Sequence, residues 1–161
     1  MKKRMLRAAV AALMVLCVGV VGLQVQAAGP RDGETVDGSL LTSGMEVSDS
    51  FENVQRTGLV SMGVSRLAKE NKGLIFLSGS TTCFRTCDSV KVYFYLEQLV
   101  GDTWKPVITK RKTAANAFFV DNGIDLVVDS GYYYRIRGSH LAILGSESDA
   151  GYTVTNGLYI D

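Results

Sequence analysis

The sequence predicts an all-β protein, an antiparallel seven-stranded β-sandwich over residues 58–161, and three observations carry that expectation. The first is the run Gly-Tyr-Tyr-Tyr-Arg-Ile-Arg-Gly at 131–138. Successive side chains of a strand point to opposite faces, so Tyr132, Tyr134 and Ile136 share one side and Tyr133, Arg135 and Arg137 the other. Burying unpaired arginines costs several kcal/mol, which turns the first set toward the core and makes this the central strand. The second is the alternation over 90–99, with Val90, Val92, Phe94 and Leu96 inward and Lys91, Tyr93, Tyr95 and Glu97 outward. The third is negative: no stretch carries a useful helical period. The folded part is also close to the ~100 residues of a seven-stranded sandwich.

Ahead of that domain, Lys2, Lys3, Arg4 and Arg7 precede an apolar run over 8–23, and Val25-Gln26-Ala27 has the small or branched residues a signal peptidase reads. Residues 1–27 are therefore expected to be a signal peptide. The run falls short of the roughly 20 residues a membrane span needs, so no membrane insertion is expected after its removal. Cleavage takes four of the seventeen basic residues and none of the acidic ones, leaving thirteen against sixteen, a net −3. That balance disfavours a nucleic-acid partner. Residues 28–57 are rich in Gly, Ser, Thr, Asp and Glu and read as a disordered acidic linker, with Thr35–Ser39 (TVDGS) as a possible docked strand.

Within the domain, 58–68 reads as an irregular first edge strand, 69–73 as a polar turn and 74–79 as a short strand buried on both faces. A cysteine loop is expected at 80–88. Gly101-Asp102-Thr103 turns the chain into a hairpin partner at 104–112, which Pro106 and the Lys110-Arg111-Lys112 cluster mark as a protected edge. Residues 118–128 read either as one bulged strand or as a hairpin about Asn122-Gly123, with Ile124, Leu126 and Val128 inward in both cases. A loop over 144–150 and a closing strand over 152–160 complete the domain.

Tyr132 follows Leu126 by six residues across Val-Val-Asp-Ser-Gly, the spacing of a corner tyrosine that caps the turn into a sandwich strand. In these residues the chain resembles a fibronectin type III domain. Val128 stands where that family has a proline, and the family's core tryptophan on the second strand is missing, so the resemblance implies a shared immunoglobulin-like architecture. The signal sequence, the TVDGS segment, the GYYYRIRG strand and the terminal TNGLYI together resemble a family of small, uncharacterised exported proteins of Gram-positive bacteria. That resemblance implies export and fold and nothing about chemistry.

An exported chain meets oxidising conditions, and the signal takes Cys17 with it, so Cys83 and Cys87 are expected to form a disulfide. So small a ring stabilises less than the ~3 kcal/mol of a 15-residue loop and serves to shape a turn that displays Arg85. Strand order places this loop at one pole with 113–117 and with 140–151, making Arg85, His140, Leu141 and Ile143 a candidate binding loop. A second candidate is the outward stripe of Tyr93, Tyr95, Tyr133, Arg135 and Arg137, which reads as an aromatic platform for a glycan or as cross-strand packing with cation–π pairs. Two cysteines and one histidine fall short of a closed zinc site, and no phosphate-cradling glycine motif is present, so no metal or cofactor is expected. The resulting expectation is a non-enzymatic exported binding module, secreted or held at the cell surface, with a protein or glycan partner. The alternative is a thiol-dependent enzyme or redox protein using Cys83, Cys87 and His140.

Overall fold

Between Gly73 and Gly101 the chain contains neither proline nor two adjacent glycines, and its threonines and valines favour extended backbone. The computed structural model, which describes residues 40–161, accordingly runs one strand through the whole of it. The expected signal peptide and the first part of the leader, Thr35–Ser39 included, lie outside the described residues. The strands are β1 (Leu41–Thr42), β2 (Glu46–Glu52), β3 (Val60–Asn71), β4 (Leu74–Val100), β5 (Thr103–Val127), β6 (Tyr132–Leu144), β7 (Glu147–Val154) and β8 (Gly157–Ile160). No α-helix occurs among the described residues.

These strands form one eight-stranded sheet in the order β1-β8-β6-β4-β3-β2, with β5 along the other edge of β4 and β7 on β6. All pairs are antiparallel except β1 with β8, so the sheet is mixed. β4 organises it. Residues 74–83 pair with β3, residues 89–98 pair with β6, and β5 accompanies both halves. Because β3 and β6 share one edge of the same strand at successive stretches, the sheet curls and its two halves face each other across the core. The all-β class stands, whereas the expected separate sheets of a seven-stranded antiparallel sandwich are replaced by this curled sheet.

Two apolar clusters fill the curl. Val47, Leu67, Leu77, Phe94, Leu96, Tyr134, Ile136 and Leu158 belong to the larger, with Ile124, Leu126 and Val128 packed against it. Leu59, Val60, Cys83, Cys87, Val90, Val92, Val120 and Ala142 form the smaller. The inward residues expected on β4 and at 124–128 are therefore where the alternation puts them.

Several boundaries differ from expectation, each for a local reason. Residues 118–128 are neither a hairpin nor an isolated bulged strand, because Asn122 and Gly123 lie in register opposite Gly79 and Ser78 inside β5. Leader residues 41–42 and 46–52 are ordered strands, and β2 covers β3, which is thereby an internal strand instead of an edge. Glu-Val-Ser-Asp-Ser-Phe-Glu alternates after all. Val47 and Phe51 turn inward with Asp49 between them, whose Oδ2 accepts a 2.7 Å hydrogen bond from the Val154 amide. The corner tyrosine is Tyr134, two residues later than expected: its hydroxyl donates to the Asp129 carbonyl at 2.9 Å and accepts from Gln98 Nε2 at 3.0 Å. Tyr132 lies at the strand end, 42% exposed.

Candidate functional site

The stripe expected to be displayed on β4 and β6 is instead largely covered. Glu97, on the face opposite Leu96, is fully buried and stands directly across from Arg135. Its Oε2 accepts from Arg135 Nε at 2.7 Å and its Oε1 from Arg137 Nε at 2.8 Å. Trp104 of β5 lies over Arg135, 4.5 Å from guanidinium carbon to ring centroid, and Tyr95 lies by Arg137 at 5.2 Å. Gly157, without a side chain, leaves the room that Trp104 and Leu41 occupy. Arg135 and Arg137 are thus 6% and 7% exposed and serve a second, polar core on the outer face of the sheet. Tyr133 packs on Tyr159 with ring centroids 5.2 Å apart. The physical reason for the correction is Glu97, which supplies the partner that makes burying two arginines tolerable.

The expected binding loop is likewise rearranged. Residues 83–86 stand opposite the single residue Phe118, so the cysteine segment is a wide bulge within β4, not an interstrand loop. Asn116, with φ 50°, kinks β5 beside it, a conformation asparagine tolerates better than most residues. The turn between β6 and β7 closes over the same region. Asp88 Oδ2 accepts from the Gly145 amide at 2.7 Å, Arg85 pairs with Glu147 at 2.9 Å, and Asp149 Oδ2 accepts from the Leu59 and Val60 amides at 2.8 and 2.9 Å. The bulge, the β5 kink and the β6–β7 turn therefore do meet, and Arg85 is exposed. Leu141 and Ile143 are half-buried strand residues of β6.

Cys83 and Cys87 are free thiols, both buried, in place of the expected bridge. The bulge brings them side by side without joining them, and the Cys87 thiol donates to the Arg85 carbonyl at 3.4 Å. Burial, then the neighbouring Cys87, then Asp149 push the Cys83 thiol up to about 12. A thiol held protonated is a poor nucleophile. In the chain of residues 28–161 at pH 8, thiol reagents should find neither cysteine until the protein is denatured, whereupon two thiols should titrate; none after denaturation would show that they are bridged.

His140 does not belong to the binding loop in which it was expected. It is fully buried on β6, where Thr81 Oγ1 lies 3.0 Å from Nδ1 and Thr153 Oγ1 lies 3.0 Å from Nε2. Thr81 spends its own proton on the Lys91 carbonyl at 3.0 Å, so Nδ1 carries the imidazole hydrogen and Nε2 accepts from Thr153. Ser65, 2.8 Å from Thr153 Oγ1, completes a directed chain of hydroxyls. Burial pushes this histidine down to about 4. Phe51 meets the ring edge-on at 5.5 Å between centroids.

Gly63 makes that stack possible, since a Cβ there would press on Phe51 Cε1 and lie 2.5 Å from His140 Cγ. Gly63→Ala is expected to cost about 1–3 kcal/mol by overpacking, measured as a shift in the urea midpoint. A change under about 0.5 kcal/mol, the range of ordinary surface substitutions, would show that Phe51 swings clear without loss.

What remains accessible is the outer edge of β5. From Thr103 to Val127 it pairs, among the described residues, with β4 alone. A groove of about 340 Å³ opens beside it, lined by residues that include Val107, Ile108, Leu126, Val128 and Tyr134. The sequence marked 104–112 as a protected edge through Pro106 and the basic cluster, but could not show that the edge continues along the whole of β5.

No family model and no curated protein matches this chain. Among solved structures, the chain is similar to the solution structure of R. palustris CsgH, at 17% identity and a TM-score of 0.34, over 55% of this chain and 85% of that one.

Proposed function

We propose that this protein is a non-enzymatic binding module that acts outside the cell, and that its contact surface is the outer edge of β5. The observation that carries the proposal is that edge, a long strand whose outward amides and carbonyls have no strand partner among the described residues. An exposed edge is a template for another extended chain, which favours a protein partner by strand addition. The groove at Ile108 gives an apolar side chain of such a partner a place to lodge. A glycan platform is less favoured, because Trp104 and Tyr95 are engaged with Arg135 and Arg137. The thiol-enzyme alternative loses its base, since both His140 nitrogens are bonded within the core.

Hydrogen exchange of the exported chain, residues 28–161, in the presence of fractionated extracellular proteins and cell-surface glycans tests the proposal. A bound protein is expected to slow exchange along β5. A ligand that binds while β5 exchanges freely, and that protects the Tyr93 and Tyr133 face instead, would overturn it.

A further inference from the structure

Resting on the edge-strand reading, we infer that the segment added to β5 is acidic and pairs along residues 108–115. This is the regular part of the edge: register with β4 is continuous from Ile108 opposite Leu96 to Ala115 opposite Ser89. It is bounded on one side by Pro106, which has no amide to donate, and on the other by the Asn116 kink. Eight residues exceed the five or six of a typical strand.

Its charge selects the partner. Lys110, Arg111 and Lys112 lie at its centre and Lys105 just before it, and no acidic residue occurs on β5 before Asp121. Among the described residues none of these four cations has an ion-pair partner. The nearby carboxylate on β4, Glu97, is taken by Arg135 and Arg137. In an antiparallel pair, side chains of both strands stand close on each face, so a strand added here would meet Lys110 and Lys112 on one face and Arg111 on the other. Opposite charges there stabilise the pairing and like charges oppose it. The same rule excludes a second copy joined through this stretch, because antiparallel self-pairing sets one basic triplet against the other. A partner with carboxylates at alternate positions, all on the face of Lys110 and Lys112, satisfies the edge.

The test uses the exported chain and a ten-residue peptide of alternating threonine and glutamate. Controls are the threonine–lysine counterpart and the acidic peptide N-methylated at every amide, which keeps the charge but leaves no amide hydrogen to pair. The expected result is slowed amide exchange confined to 107–116 with the acidic peptide, none with the lysine peptide, and none with the N-methylated one. Lys110→Glu with Lys112→Glu, the first half-buried and the second exposed, should weaken binding on the order of tenfold and reverse its dependence on salt. Equal binding of the acidic and basic peptides along β5 would overturn the acidic partner while leaving edge addition intact. Equal binding of the N-methylated peptide would overturn edge addition itself. Protection of 108–115 in the free chain that vanishes on dilution, or on deleting residues 28–39, would assign the edge to a second copy or to the chain's own leader and overturn the inference.

Discussion

Replacing Glu97 with alanine is expected to cost about 3–5 kcal/mol of stability, because it removes the buried carboxylate that two buried guanidinium groups share. Against the 5–15 kcal/mol of a typical domain, that brings the fold close to its limit. The cost belongs to the broken ion triad and not to the lost volume, so a second variant separates the two. Changing Glu97, Arg135 and Arg137 together to methionine removes all three charges while keeping aliphatic bulk beneath Trp104 and Tyr95, and should recover most of the loss. Urea unfolding of both variants decides it. A Glu97→Ala change near zero would mean that the arginines reach water by turning out past Trp104, and the outer face would then be a displayed cationic stripe after all.

Acid should also weaken the fold, through His140. Burial holds this imidazole neutral, at about 4 against an ordinary 6.5. Between those values the unfolded chain binds a proton that the folded chain refuses, so stability is full above pH 6.5 and falls as the pH drops toward 4. Two and a half pH units correspond to about 3 kcal/mol. Protonation would also require Nε2 to donate to a threonine oxygen that already accepts from Ser65, so the hydroxyl chain would have to reverse. Chemical unfolding from pH 7.5 to 4 in the wild type and in His140→Gln measures the effect. The variant should show a distinctly flatter profile, and parallel profiles would assign any acid sensitivity to carboxylates elsewhere.

The core was the most legible part of this sequence. Strict alternation at Val90, Val92, Phe94 and Leu96 fixes a face wherever one side of a strand is buried, and the structure buries all four completely. Length was less legible: β4 passes through the cysteine segment because a bulge absorbs the extra residues, and bulges depend on the partner strand as much as on their own residues. The short alternation around Asp49 was obscured by its acidic surroundings. The buried arginines were misplaced for a different reason. A stripe of Tyr, Arg and Glu reads as a solvated face until something covers it, and the cover, Trp104, comes from another strand.

The long pairing of β4 with β5 carries a consequence for how the chain finds its fold. Its tip, where Val100 meets Thr103, closes with almost no loop, and further pairs outward extend an existing ladder, past a one-residue bulge at Val107, until Cys87 meets Ala117. There the ladder meets the four-against-one mismatch at 83–86, and zipping cannot continue residue by residue. The far half, out to Leu74 with Val127, must restart beyond that mismatch, and it gains most from β3 arriving on the other side. Folding should therefore proceed in two stages divided at the cysteine bulge, with the β4–β6 half formed early and the β3 half docking late.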